Sequence, residues 1–447
     1  MCSSDAPHSR LILMLPMLSK NNREILEISL PSIVANITAP LMSMADTAIA
    51  GHLGSEKYIA AIAIGASLFN MLYWGFAFLR MGTSGMTAQA FGAKNTDRQT
   101  VILLRSLLVA FTIGLAMILL QRPLIHFMVD FMEAKGDVEV LVNTYTKICI
   151  YGAPAMLGTY ALSGWFIGRQ NSRRPMYISV AVNLINIALS LTLVYYFHFA
   201  MAGIAFGTLI AQWFGLLFGL YFVLTDKLRI SKSLLRSIFD ISELKRFFSI
   251  NTDIFLRTLC LIAVTLWFTR TGAAQGDIML SVNAILMQFF IIFSYFADGF
   301  AYAGEALAGK YCGAKDDASM TQTVRNLFKW GFVIAILFTA VYLIFGSTFV
   351  SLFCDNAAVK AQAAEYVVWV SLVPLAGISA FIWDGIYIGM TRTRSMLLSM
   401  FIAMVVFFII WYYAFPKWAN TALWLAFIAY LAVRGIVLRL LYKSGDR

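Results

Sequence analysis

Long apolar stretches broken by short polar ones run the length of this chain, with no period-two alternation of the kind a barrel strand shows. Twelve apolar runs stand out, at residues 25–50, 58–80, 101–121, 141–168, 175–197, 201–225, 247–270, 279–308, 328–353, 365–391, 396–416 and 421–442. Each reaches the roughly 20 residues that a helix needs to cross a bilayer. In hydrocarbon every backbone group must bond internally, so helices are the spanning structure that fits these runs. The pattern predicts an all-α, polytopic membrane protein with twelve transmembrane helices.

The runs repeat at a fixed offset. Phe91-Gly92-Ala93-Lys94-Asn95 returns 221 residues later as Cys312-Gly313-Ala314-Lys315-Asp316. Gly164, Ile167, Gly168 and Arg173 return as Gly385, Ile388, Gly389 and Arg394, and Tyr145 as Tyr366, while Pro154 matches Pro374 one residue out of step. One offset held by several positions points to duplication: two six-helix bundles about a pseudo-two-fold axis along the membrane normal, with a cleft between them. The expected divisions are a tail over 1–24, an N-lobe over 25–225, a linker over 226–246 and a C-lobe over 247–447. Within the tail, Leu11 to Leu18 is too short to span, and Met14 or Met17 would serve as alternative starts.

Composition agrees with a lipid solvent: 60% hydrophobic residues, 13% charged, mean hydropathy +0.77, against about a quarter charged in a soluble domain. The basic residues give the orientation. Of 34 Lys and Arg, six (Lys57, Arg122, Lys135, Arg270, Lys360, Lys417) follow odd-numbered runs, five (Arg80, Arg105, Lys147, Arg257, Arg434) fall in or at runs, and the other 23 lie in or beside the even-numbered loops and tails. The positive-inside rule places both termini in the cytoplasm. The net charge of +11 then needs no nucleic acid. The basic stretch Lys227-Leu228-Arg229-Ile230-Ser231-Lys232 reads as a loop beside anionic lipid.

Five cysteines without CxxC spacing and four scattered histidines give no metal site, and no Walker-type loop or nucleophile–base spacing appears. No enzyme, metal or cofactor is expected. Acids inside spans are the functional suspects, because they are costly there. Asp46 is the sharpest: it lies toward the outer end of the first run, after Pro31 and Pro40, which allow that helix to bend. Burial disfavours a charged carboxyl, so such a group can load and release a proton. In the second half, Asp253 and Arg257 stand four apart and are expected to pair along one helix face. Asp298 and Glu305 share a face two turns apart, with Lys310 near Glu305, and Asp384 sits in the tenth run. Abundant Phe and Met (36 and 21) would line a cavity tolerant of amphipathic or cationic molecules.

Leu30-Pro31, Asn36-Ile37-Thr38 and Asp46-Thr47-Ala48-Ile49-Ala50-Gly51-His52-Leu53-Gly54 resemble the opening of the multidrug and toxic compound extrusion (MATE) family, as do Phe78-Leu79-Arg80-Met81 and Thr87 to Asn95. Asn251 to Arg257, Asp298 to Ala303 with Glu305, and Asp384-Gly385 resemble its DinF-type branch. The resemblance covers about residues 22–443. It implies cation-coupled export of amphipathic, often cationic, drugs or metabolites, with Asp46 as the proton site and Pro31 at the bend position. The family's Asn-x-x-x-Asp pair in span 5 is here Asn186 and Ser190, so Asp46 would carry coupling alone. Asn183 and Thr208 are its expected neutral neighbours.

The leading expectation is therefore a monomeric, proton-coupled antiporter of small organic cations or amphiphiles in a bacterial inner membrane, with membrane lipid around it. Sodium coupling stays open, since a sodium site needs converging oxygens that sequence does not locate. The alternative is a lipid or lipid-linked glycan flippase, which would need several basic groups inside the spans to neutralise phosphate.

Overall fold

The computed structural model describes residues 19–53, 55–132, 135–226, 228 and 231–444. Most of the expected tail, with Met14 and Met17, and the linker residues Lys227 and Arg229 lie outside them. Among the described residues the chain is helical and has no strand.

The first pass is α1 (Lys20–Gly51); the second is α2 (Glu56–Gly75) running into α3 (Phe78–Gly92); the third is α4 (Thr96–Leu119), followed by α5 (Gln121–Phe131). The fourth is split into α6 (Asp137–Cys149) and α7 (Ala153–Gly168) by one 3-10 turn, with Pro154 at the start of α7. Then come α8 (Arg173–Leu191), ending in a π-turn at Thr192–Tyr196, and α9 (Ala200–Thr225). After the short linker helix α10 (Lys232–Ser237) follow α11 (Ile241–Ala273), α12 (Asp277–Ala314), α13 (Asp317–Phe353), α14 (Ala357–Gly389) and α15 (Thr393–Ser444). Ala419 breaks α15 with a non-helical backbone, and rings at Phe407 and Tyr430 meet across the break, so α15 is two antiparallel passes. Among the described residues ten helices are long and apolar enough to cross a membrane. The divided fourth pass and the doubled α15 bring the described passes to the expected twelve.

The repeat is written into the backbone. Left-handed residues Lys94, Gln170 and His198 are matched 221 positions on by Lys315, Thr391 and Ala419. The shared Gly-Ala-Lys-Asn/Asp motif is thereby explained. Lys94 and Lys315 end a helix in the left-handed region. Asn95 and Asp316 then cap the next helix, accepting from the backbone of Arg98 at 2.8 Å and of Ser319 at 3.0 Å. The glycines of the motif let α3 and α12 cross: a Cβ on Gly92 would stand 1.8 Å from the Lys310 carbonyl oxygen, and one on Gly313 2.0 Å from that of Gln89. These are the same contact seen from either side of the pseudo-two-fold axis.

The second run is expected to end at 80, yet the helix continues to Gly92. Residues 82–88 are buried throughout, because small side chains permit close helix packing despite their modest hydropathy. α12 has 38 residues, a length of about 57 Å at 1.5 Å per residue, well beyond the roughly 30 Å hydrocarbon core. The face that carries both termini and the linker is here called the terminal face. There the lobes are sealed together. Gln89 donates to the Gly389 carbonyl (3.0 Å) and Gln170 to that of Ala306 (2.7 Å).

The lead helices of the two repeats are exchanged between lobes. Ile25, Ile28 and Ile33 of α1 pack into the core of the C-lobe, whereas Ile49 and Ala50 belong to the core of the N-lobe. In α11, Phe247, Ile250 and Ile254 pack into the N-lobe core and Val264 and Phe268 into the C-lobe core. A sequence boundary between lobes therefore does not coincide with a packing boundary.

Candidate functional site

In the N-lobe, α1 brings Asp46 to 4% exposure. The Ser190 hydroxyl of α8 lies beside its carboxyl, without the geometry of a complete hydrogen bond. One turn along α8, Asn186 donates to Thr208 Oγ1 of α9 at 3.0 Å, and Thr208 donates to its own helix at the Ile204 carbonyl, 3.1 Å. Tyr145 of α6 lies against Cys149 and Thr208 and within electrostatic reach of Asp46. Asp46 Oδ1, Asn186 Oδ1 and Ser190 Oγ are all buried without a hydrogen-bond partner in the protein. Three such oxygens in one locality are costly unless something else satisfies them. Among the described residues no basic side chain pairs with Asp46.

The structure thus brings Asp46, Asn186, Ser190 and Thr208 together. Asn183 departs from expectation: it donates instead to the Thr38 carbonyl of α1 at 2.8 Å, since its helical position turns it toward the middle of α1. Ser179 joins the same contact, lying 3.0 Å from Thr38 Oγ1. Both prolines lie inside a continuous α1. Pro31 has no N–H for the Glu27 carbonyl four residues back, and Ser172, just before α8, donates to that carbonyl at 3.2 Å. Tyr145 and Cys149 were not among the expected site residues; the repeat flagged Tyr145 only as a matching position.

The C-lobe acids are placed differently. Asp384 of α14 is held by Arg257 of α11 and by Arg434 of α15, whose Nη2 donates to Oδ2 at 2.5 Å. The expected Asp253–Arg257 pair does not form: Arg257 reaches across to α14, and Asp253 accepts from Thr393 Oγ1 at 2.7 Å. Glu305 does not bridge to Lys310 either. It accepts from Arg80 of α3 at 3.2 Å, an ion pair between lobes, with the Arg80 guanidinium 4.1 Å over the Tyr302 ring. Glu305 and Ser84 are repeat partners at an offset of 221 and face one another across the axis. Asp298 stands between these groups, within electrostatic reach of Arg80, Arg257, Asp384 and Arg434. Among the described residues no group of His, Cys, Asp and Glu is arranged to hold a metal ion.

A MatE family profile matches the chain twice, over residues 31–192 and 252–413, each boundary displaced by 221. The chain belongs to the MatE family. Members are membrane transporters rather than enzymes, and this MatE protein is a multi-pass membrane transporter. It is 35% identical over 440 residues to DNA damage-inducible protein F of Escherichia coli, covering 98% of this chain and 95% of that one. It is 23% identical to the chloroplastic Protein DETOXIFICATION 44 of Arabidopsis thaliana, covering 94% and 82%. A MATE protein crystallised in a bent conformation shares the fold with a TM-score of 0.84 at 18% identity, covering 96% of this chain and 98% of that one. A MOP superfamily transporter from Pyrococcus furiosus does so with a TM-score of 0.82, also at 18% identity, covering 95% and 96%.

Proposed function

We propose that this MatE transporter is a proton-coupled antiporter that exports amphipathic, cationic organic molecules, with Asp46 as its proton site. One observation carries the reading: Asp46 is a deeply buried carboxyl with no basic partner and an oxygen left unbonded. A lone acid in such a site is most stable neutral, or when a cation arrives beside it. Proton and organic cation then compete for one carboxyl, which is the requirement for exchange. The neighbouring Asn186, Ser190 and Thr208 supply neutral polar atoms that can serve either occupant.

The basic loops support a cytoplasmic position for both termini. With the terminal face sealed, the lobes stand in an outward-facing arrangement. A proton entering from outside neutralises Asp46, the cation leaves, and α1 bends where Pro31 interrupts its hydrogen bonds. The proton is then released inward when the terminal face opens. One proton exchanged for one monovalent cation moves no net charge, so the pH gradient is the drive, and each unit of it supplies about 1.4 kcal/mol, a tenfold substrate gradient. The N-lobe, linker and C-lobe divisions are kept as topological units, joined by the exchanged lead helices.

Asp384, held between two guanidinia, has its charge already offset, which argues against a second bare-cation site there. The flippase alternative loses support on the same ground: Arg80, Arg257 and Arg434 all face acids and Arg105 donates to the Ser237 and Ile238 carbonyls, so these four arginines are already engaged. The test is efflux of a lipophilic cation from proteoliposomes under a proton gradient and, separately, a sodium gradient. Asp46→Asn should lose proton-driven efflux while remaining folded; a response to sodium alone would move the coupling ion and this assignment with it.

A further inference from the structure

The foot of α1, upstream of Pro31, is bonded across the lobe boundary. Asn21 donates to Thr323 Oγ1 of α13 at 2.6 Å and accepts from Asn326 at 2.9 Å. Asn22 accepts from the Trp330 indole at 3.4 Å. Glu24 takes both the Lys310 ammonium and the Tyr311 hydroxyl of α12, each at 2.9 Å. Asn21, Thr323 and Asn326 are buried. Downstream of Pro31, Asn36 still donates to the Tyr295 carbonyl of α12 at 3.2 Å, and from Thr38 onward the bonds run to the N-lobe, through Ser179 and Asn183 of α8.

The equivalent foot of α11 is held loosely. Glu243 pairs with Arg98 at 3.0 Å with both side chains more than a third exposed, and Arg246 meets Gln89 at 3.3 Å. Exposed pairs of this kind contribute little, whereas buried and charge-assisted bonds hold. α11 also contains no proline, so it cannot flex between its halves as α1 can.

We propose that Asn21 and Glu24, with Lys310, are positioning residues for the transport cycle: a latch that keeps the terminal face shut until the Pro31 hinge lets the foot of α1 swing clear. The foot of α1 is bonded to the C-lobe and the stretch from Thr38 onward to the N-lobe, with bonds to both lobes around Pro31 itself, so rocking of the lobes must strain either the hinge or the latch. Because the latch lies on the terminal face and Asp46 near the other end of the same helix, a change at Asp46 reaches the seal through α1 itself. The inference rests on the alternating-access reading above, but its test needs neither substrate nor a proton gradient.

The test is a spin-label distance across the terminal face, between Asp97→Cys and Gln322→Cys in an otherwise cysteine-free protein, both sites being exposed and in opposite lobes. Glu24→Lys and Lys310→Glu should each raise the ratio of long to short distances by at least about tenfold, as loss of a charge-assisted bond does. The double exchange should return the ratio toward the parent value. Asn21→Ala, which changes no charge, should move it in the same direction as the single variants. An unchanged ratio in the single variants, or a double exchange more open than either one, would overturn the latch. Because Asp46 is intact throughout, loss of the latch and loss of the proton site would be told apart.

Discussion

The two lobes share a backbone and differ in chemistry, most sharply in their lead helices. α1 and α11 begin at equivalent positions, Lys20 and Ile241. At the position of Asp46 the C-lobe has Trp267, and at that of Ser190 it has Trp411; those two rings pack edge to face with centroids 5.0 Å apart. Where the N-lobe buries a carboxyl beside a hydroxyl, the C-lobe packs one half-buried indole against another. Buried acids of the C-lobe each face arginine, whereas Asp46 faces none. Duplication thus gave one lobe a titratable site on a hinged helix and left the other as a cross-braced frame.

The largest effect expected from disturbing this contrast is in the frame. Asp384→Asn leaves Arg257 and Arg434 buried without their shared counter-charge. It should destabilise the protein by about 3–5 kcal/mol, read as a lower thermal midpoint in detergent. Proton coupling should survive in whatever fraction folds. A variant as stable as the parent would mean that Asp384 is not the brace described.

A clamped acid at the edge of the N-lobe sharpens the contrast with Asp46. Asp226, just past α9, receives both nitrogens of Arg174 at 2.6 Å and is also paired with Arg169. Partial burial works to raise its pKa, but the two guanidinia prevail and hold the carboxyl below its ordinary value. Because the folded value is depressed, its stabilisation is present above the unfolded value and is lost as pH falls through the folded one. Asp226→Asn should cost about 1.5–3 kcal/mol at neutral pH, and the gap to the parent should close in acid. A gap that persists below the range of carboxyl titration would show that the loss is one of packing.

Ser190→Ala should have the smallest effect. Its hydroxyl makes no complete bond to Asp46, so proton-driven efflux should change by less than about threefold, within the net worth of one weak hydrogen bond. A loss as large as that of Asp46→Asn would make Ser190 a member of the proton site in its own right.

Much of this was legible in the sequence because it depends on periodic or local signals. The twelve passes follow from apolar length. The offset of 221 follows from Gly92/Gly313 and Lys94/Lys315, whose backbone duties admit few substitutes. The meeting of Asp46 with Ser190 followed from the family resemblance. What was not legible depends on partners far apart in the chain. Arg257 has an acid four residues away and another 127 away, and only the packing of α11 on α14 decides between them. The extension of α3 to Gly92 was hidden because Gly82 to Ala88, Met86 apart, are small rather than strongly apolar. The exchange of α1 and α11 between lobes leaves no mark on a hydropathy profile at all.

The central claim is that one carboxyl, Asp46, serves proton and organic cation in turn. It is tested most directly by adding tetraphenylphosphonium to the purified transporter in weakly buffered detergent near neutral pH and following proton release. The parent protein should release up to one proton per cation bound, and Asp46→Asn should release none. Release that persists in Asp46→Asn would contradict the account and move the proton site to another acid.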